Sequence, residues 1–188
     1  PMTRRYAPLL LAAVAAALSL SSGLAQDAAT PAPDVSTDLF DPAVVAATPI
    51  AGIETFTVES AEHTEGPVTY PQDPPAGGPH APAWQKCAAY DAPIRNENAV
   101  HSLEHGAVWI TYQPDLPEVE VKALDKLAKT RYVLVSPYPD LDDPIVASAW
   151  GAQLRLEAAD DPRLGAFITR YAGNGPEPGA NCDSGLET

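Results

Sequence analysis

The stretch from residue 66 to residue 95 restricts the fold more than any other part of the sequence, because Pro, Gly, Ala and Tyr dominate it. Its centre has the sequence PPAGGPH over residues 74–80, which is incompatible with a helix or an inner strand. A long loop inside a compact domain is usually either functional or disordered. This one carries Trp84, Cys87 and Tyr90. We therefore expect an ordered loop that packs against the rest of its domain.

Apolar periodicity predicts regular structure on either side of this loop. Strands are expected at residues 53–59, 107–112 and 132–136, and over 145–158 as one bent strand or a pair broken at Gly151. Two amphipathic helices are expected, one capped by Asp115 and one that begins at Asp161 and is closed by Gly173. This order predicts an α+β domain, in which a small antiparallel sheet carries two helices on one face and the long ordered loop.

The first 25 residues are typical of a secretory signal peptide. Arg4 and Arg5 precede an apolar run, and small residues end at Ala25. The alternative is an uncleaved membrane anchor, but the run of about 14 residues is short for a bilayer that needs about 20. The sequence thus predicts export to the periplasm or the extracellular space, with membrane attachment only if the leader is retained.

Two further segments complete the predicted organisation. Residues 26–50 are rich in Ala, Pro, Asp and Thr without periodicity, and we expect a disordered linker there. Residues 51–188 are expected to form one globular domain.

The chain is strongly acidic, with 25 Asp and Glu against 11 Lys and Arg and a net charge of −14. Such a surface repels nucleic acid and anionic lipid, so neither is expected as a partner. It concentrates cations instead, although an acidic surface also serves solubility alone.

The two cysteines, Cys87 and Cys182, indicate a disulfide in an oxidising compartment. Closing a loop of about 95 residues would stabilise the fold by about 4 kcal/mol in the chain-entropy model. The alternative is that one or both thiolates bind a metal ion.

All four histidines, His63, His80, His101 and His105, lie within 43 consecutive residues. Metal ligands converge in this way, whereas surface histidines are scattered. His101 and His105 are four residues apart, so both share one face of a helical turn. The four imidazoles are therefore predicted metal ligands, with ordinary polar contacts as the alternative.

Imidazole suits copper, zinc, iron and nickel. The only methionine, Met2, belongs to the leader, which excludes a thioether site. For an exported acidic protein we expect copper, with zinc as the alternative, and no catalytic turnover; another metalloprotein of the cell envelope is the expected partner. Glu104 is expected to fix the tautomer of an imidazole, to bind the ion itself, or to be an ordinary surface carboxylate.

Two other functions stay open. Residues 101–105 match H-x-x-E-H, in which two histidines hold zinc and the glutamate activates water, so a zinc hydrolase using Glu104 is the first alternative. Gly106 and a β-branched, aromatic run follow at once, whereas that chemistry requires a long helix. The second alternative is a structural or interaction module without metal, whose histidines join the loop to the sheet through hydrogen bonds.

Several motifs resemble the bacterial domain-of-unknown-function family DUF 3105. They are PPAGGPH at 74–80 with Trp84, Cys87 and Tyr90, VHSLEHG at 100–106 with Tyr112 and Pro114, the upstream His63 and Tyr70, and PEPGANC at 176–182. The resemblance covers roughly residues 53–184 and implies one exported or membrane-anchored domain, but no activity. All four histidines fall within its motifs. One departure is Ala76-Gly77, where a Thr-Ser-like pair is expected.

Overall fold

Five strands form one sheet in the computed structural model, which describes residues 50–180 and 182–187. In chain order the strands are β1 (Ile53–Thr55), β2 (Val108–Tyr112), β3 (Val133–Pro137), β4 (Ile145–Ala149) and β5 (Ala152–Leu156). Their order in the sheet is β1-β5-β4-β2-β3. Every pair is antiparallel except β2 with β3, which are parallel and connected through a helix. The predicted α+β class is confirmed. The sequence predicted an antiparallel sheet and did not indicate the parallel pairing of β2 with β3.

Three helices accompany the sheet: α1 (Asn96–Glu104), α2 (Glu118–Leu127) and α3 (Pro162–Tyr171), followed by a 3₁₀ turn at Cys182–Ser184. The sequence predicted α2 and α3 but did not place α1 among the elements. Asp161 caps α3 as expected, since its Oδ1 accepts a hydrogen bond from the Arg163 N–H at 2.9 Å. The prediction that Asp115 caps α2 was wrong, because the helix begins after Pro117 and lacks a side-chain cap.

The two predicted helices cover one face of the sheet. Alternate strand residues on this face are buried with the apolar sides of α2 and α3; the largest are Ile110, Ile145, Leu154, Leu156, Leu124, Leu127, Leu164, Phe167 and Ile168. Each such side chain contributes about 1.5–3 kcal/mol on leaving water, so this face holds most of the hydrophobic stabilisation.

The opposite face is also buried, although part of it is polar. Thr111, Ser136, Ser148 and Gln153 lie on it with no exposed surface. Helix α1 and the Pro/Gly-rich loop cover this face, and the Gln153 amide donates to the Pro74 carbonyl at 2.7 Å. The prediction of an ordered, packed loop is confirmed. The loop gives Gln153 a hydrogen-bond partner, whereas Thr111, Ser136 and Ser148 form hydrogen bonds within the sheet.

The chain turns between β4 and β5 at Gly151, as predicted. This glycine has φ +70°, and a Cβ there would lie 3.0 Å from the Phe56 carbonyl oxygen. The Phe56 N–H donates to the Gly151 carbonyl at 2.8 Å, but regular pairing of β1 ends at Thr55. The first strand is therefore shorter than the predicted 53–59.

The predicted signal peptide and the predicted linker up to residue 49 lie outside the described residues. Within residues 50–180 and 182–187, none of the helices has the length and apolar character needed to cross a bilayer.

Candidate metal centre

Helix α1 is buried on nearly all sides, and most of its buried side chains are polar. Eight of its nine residues are buried, and among them are Glu97, His101 and Glu104. The helix ends at Glu104, and Gly106 follows with φ +90°. A Cβ at Gly106 would lie 2.8 Å from the backbone nitrogen of Asn174. Only glycine permits this backbone conformation together with so close an approach. The C-terminal segment therefore runs directly past the end of α1.

The rings of all four histidines come together at this place. The centroid of His63 lies 5.0 Å from that of His80 and 4.9 Å from that of His101. The centroid of His101 lies 4.8 Å from both His80 and His105. The structure thus brings together every histidine that the sequence singled out. His80 comes from the Pro/Gly loop, and the other rings come from the segment before that loop and from α1 and its end.

Backbone carbonyls hold three of the rings through Nδ1. The acceptors are the carbonyls of Gly78 for His80 at 2.8 Å, Ala81 for His101 at 2.6 Å and Glu177 for His105 at 3.1 Å. A carbonyl oxygen can only accept, so the hydrogen of each neutral ring is on Nδ1. In the neutral form of each ring, Nε2 is consequently unprotonated and carries a free lone pair.

These lone pairs face other acceptors. Nε2 of His101 lies 2.9 Å from Nε2 of His105. Nε2 of His80 lies 3.0 Å from Oε2 of Glu104, but not in the geometry of a hydrogen bond, and this buried nitrogen has no hydrogen-bond partner among the described residues. With the rings neutral, the centre of the cluster therefore contains electron-pair donors with no hydrogen atom between them.

The pKa of His101 is lowered from its ordinary value of 6.5 to about 4, and burial is the largest cause. The neighbouring rings of His80, His105 and His63 also lower it, while the hydrogen bond to the Ala81 carbonyl acts in the opposite direction. His101 is therefore neutral at physiological pH.

The metal-free protein should accordingly lose stability on acidification. Below pH 6.5 the unfolded state protonates His101 whereas the folded state stays neutral until about pH 4. The free energy of unfolding should fall in this window, by at most about 1.4 kcal/mol per pH unit for this one proton, and should be insensitive to this group above pH 6.5. Urea unfolding between pH 4 and 8 in the presence of a chelator measures it. A His101→Gln variant should show a shallower slope, and an equal slope in both proteins would contradict the assignment.

Aromatic side chains and the C-terminal segment enclose the cluster. Trp84 approaches His101 and His105 edge-on, with centroid distances of 5.4 and 5.2 Å, and Trp150 approaches His80 in the same way at 5.9 Å. The disulfide Cys87–Cys182, predicted from the sequence and confirmed, fixes the C-terminal segment next to Trp84.

Sequence reasoning missed the part played by Glu177. Its carbonyl holds His105, and its N–H donates to the Glu104 carbonyl at 3.1 Å. The PEPGANC stretch was noted as a motif, but a backbone contact has no side-chain signature that could have revealed this role.

Several atoms that could bind a metal ion lie close to one another. One atom each from His63, His80, His101 and Glu104 lie within 4.8 Å of one another, and His105 adjoins them through His101. Ligands about 2.1 Å from a tetrahedral ion are about 3.4 Å apart. The observed separations bracket this value, so small side-chain movements would suffice. Glu104 lies among these ligand atoms, while backbone carbonyls take the tautomer-fixing position that the sequence suggested for it.

Comparison with known proteins bears on the family. No curated protein matches the chain, and no solved structure matches it. A family model described as "Protein of unknown function (DUF3105)" matches residues 62–184, which include all four histidines, Glu104 and both cysteines. This match covers well over half of the sequence, in agreement with the motifs. The chain therefore belongs to the DUF3105 family.

Proposed function

We propose that this domain binds one divalent transition-metal ion, copper(II) in preference to zinc(II), without catalytic turnover. The proposed ligands are the ring of His63, Nε2 of His80 and His101, and a carboxylate oxygen of Glu104. Nε2 of His105, which lies 2.9 Å from Nε2 of His101, is proposed to join them. One observation carries the proposal: Nδ1 of three rings lies in hydrogen-bond contact with a backbone carbonyl, so the neutral rings present only lone pairs, beside a carboxylate, to the centre of the cluster.

Such an arrangement is unfavourable without a cation. Two nitrogen lone pairs 2.9 Å apart repel each other, and a buried nitrogen without a partner loses its hydrogen bond to water at a cost of about 1–3 kcal/mol. A metal ion accepts all of these electron pairs at once. Carbonyls that hold Nδ1 also fix the ring orientation and raise the basicity of Nε2, as is usual behind metal-binding histidines.

The donor types favour copper(II). The described residues offer nitrogen and oxygen donors only, since Cys87 and Cys182 are joined in the disulfide and the sole methionine is Met2. Copper(I) prefers sulfur, whereas copper(II) and zinc(II) accept imidazole and carboxylate. At a given site of this type copper(II) binds more tightly than zinc(II).

The burial of the ligands supports binding rather than catalysis. His80, His101, Glu104 and His105 are 0, 3, 3 and 7% exposed. A hydrolase needs room for a substrate beside the metal-bound water. The enclosed ligands leave no such opening, apart from the side that His63 covers.

The setting of the site supports its placement outside the reducing cytoplasm. The disulfide requires an oxidising compartment such as the cell envelope. A second envelope metalloprotein that delivers or receives the ion would be the partner in this proposal.

Titration of the chelator-treated protein with copper(II) and zinc(II) tests this function. We expect one ion per chain, nitrogen hyperfine splitting in the copper EPR spectrum, and an affinity for copper above that for zinc. The double variant His101→Ala/His105→Ala should lose at least about 1,000-fold in copper affinity, because two of the proposed ligands are removed.

Asn96→Ala is the matched control, since Asn96 lies on the same helix outside the cluster and bonds Tyr138. It should leave the affinity unchanged. Absence of binding in the wild type, or equal affinity in the wild type and the double variant, would refute the proposed function. Elemental analysis of the protein from its native compartment would identify the ion.

A further inference from the structure

We propose that His63 is the exchangeable ligand of this site, the position at which the ion enters and leaves and at which an outside imidazole can take its place. In the cell that imidazole would be a histidine of the protein that delivers or receives the ion. This inference rests on the proposed function and adds the route of exchange to it.

Exposure separates His63 from the other three histidines. Its residue is exposed, whereas His80, His101 and His105 are buried. Its ring nevertheless lies against the buried rings, with centroids 5.0 Å from His80 and 4.9 Å from His101. The ring of His63 therefore occupies the solvent side of the cluster, and displacing it would connect the ion to bulk water.

The ring of His63 is also the least restrained. Each of the other rings donates Nδ1–H to a backbone carbonyl, but no hydrogen bond of the His63 ring occurs among the described residues. Such a ring can rotate away without breaking a hydrogen bond to residues 50–180 or 182–187.

The backbone at His63 is fixed, in contrast to its ring. The segment pairs with the Pro/Gly loop through the Thr64 N–H to the His80 carbonyl at 2.7 Å and the His80 N–H to the Glu62 carbonyl at 3.0 Å. The ring can therefore leave and return to the same place while the loop that carries His80 stays closed. This combination of a fixed backbone and a free side chain suits a ligand that exchanges.

Ligand exchange follows from this geometry. The bond between the metal and the His63 ring nitrogen breaks, and an incoming neutral imidazole donates its own lone pair to the vacant position, so neither charge nor oxidation state changes. His80 cannot exchange in this way, because its ring has no exposed surface and Gly78 holds its Nδ1.

Chemical rescue tests the assignment. His63→Gly should weaken copper(II) binding about 10- to 100-fold and raise the rate of copper transfer to EDTA by a similar factor, since one ligand is lost. Millimolar imidazole should restore both values to within about 3-fold of the wild type, together with the copper EPR spectrum. His80→Gly is the matched control, because it also removes one ring but from a position closed to solvent. Imidazole should restore neither the copper affinity nor the transfer rate of this variant.

The outcomes are distinct. If the wild type binds copper but His63→Gly transfers it at the wild-type rate, or if imidazole rescues His80→Gly as well as His63→Gly, the exchange role is wrong and the metal site stands. If imidazole fails to rescue a folded His63→Gly variant that has lost affinity, the role is also wrong. If the wild type binds neither ion, the proposed function itself fails. If His63→Gly does not fold, His63→Ala takes its place in the rescue experiment. If His80→Gly does not fold, His105→Gly takes its place as the control.

Discussion

The Glu104→Gln variant is expected to bind copper(II) about 100-fold more weakly than the wild type while its metal-free form becomes more stable. Both effects have one cause. The carboxylate supplies an anionic ligand to the ion, and a neutral amide oxygen is a much weaker one. Without the ion, the same carboxylate lies 3.0 Å from the unprotonated Nε2 of His80, where two acceptors meet. A glutamine amide can turn its NH₂ toward this nitrogen and donate a hydrogen bond.

The expected gain in the metal-free protein is about 1 kcal/mol in the free energy of unfolding, the usual contribution of one hydrogen bond. Chelator-competition titration measures the affinity, and urea unfolding in the presence of EDTA measures the stability. A purely structural cluster predicts the opposite stability change, because it requires His80 to donate a charge-assisted hydrogen bond that glutamine would weaken. Unchanged copper affinity with a loss of stability would therefore favour a module without metal.

Glu97→Gln is a matched control for this test. Glu97 is a buried glutamate on the same helix, but its carboxylate accepts from the Val68 N–H and from Arg95 Nε, each at 2.8 Å. The substitution replaces two charge-assisted hydrogen bonds by weaker ones, so stability should fall while copper affinity stays the same. Glu104→Gln should therefore raise the stability of the metal-free protein and weaken copper binding, whereas Glu97→Gln should lower the stability and leave copper binding unchanged.

The composition of the candidate site could be predicted from the sequence, but the reason for its assembly could not. Four histidines within 43 residues indicated convergence, and the spacing of His101 and His105 indicated a shared face. Their side chains do meet. The contacts that fix each ring, however, run to backbone carbonyls. Every residue has a carbonyl, so no pattern of side chains reveals which one lies opposite a given nitrogen.

Helix α1 escaped prediction for a related reason. Amphipathic periodicity identifies helices that bury an apolar stripe and expose a polar one. In α1 only Ala99, Val100 and Leu103 are apolar, yet polar residues are buried on the remaining sides. Helices α2 and α3 follow the ordinary rule and were found. Helix α1, which carries much of the candidate site, departs from this rule because its polar side chains interact with the loop and with each other instead of with water.

Loss of the disulfide in Cys87→Ala/Cys182→Ala is expected to lower the free energy of unfolding by about 4–5 kcal/mol. The bridge joins residues 95 apart in sequence, and in the chain-entropy model a closed loop of this length restricts the unfolded chain by about that amount. This loss is a large part of the free energy of unfolding of a small domain, so the variant should unfold at a far lower urea concentration. Alanine is the appropriate replacement because Cys182 is buried. A serine at this position would place its hydroxyl where no water can reach it.

The matched control is Lys86→Ala, which removes the exposed ion pair of Lys86 with Glu187. This pair joins the same two segments as the disulfide, but its side chains are 35% and 73% exposed, so its loss should change stability little. A double-cysteine variant that is no less stable than this control would show that the backbone contacts alone hold the segments together. Three backbone hydrogen bonds make these contacts: the Cys87 N–H to the Cys182 carbonyl at 2.9 Å, the Lys86 N–H to the Leu186 carbonyl at 2.8 Å and the Leu186 N–H to the Trp84 carbonyl at 2.9 Å.

The same variant should also bind copper(II) about 10-fold more weakly in conditions where it remains folded. The C-terminal segment holds the Nδ1 of His105 through the Glu177 carbonyl at 3.1 Å, and removal of such a support behind a metal-binding histidine typically lowers affinity 10- to 100-fold. Because the segment keeps its backbone contacts, we expect the lower end of this range. Titration of the folded variant at low temperature measures the effect. Wild-type affinity in a destabilised variant would mean that His105 keeps its orientation without the bridge, and that the disulfide stabilises the fold independently of the site.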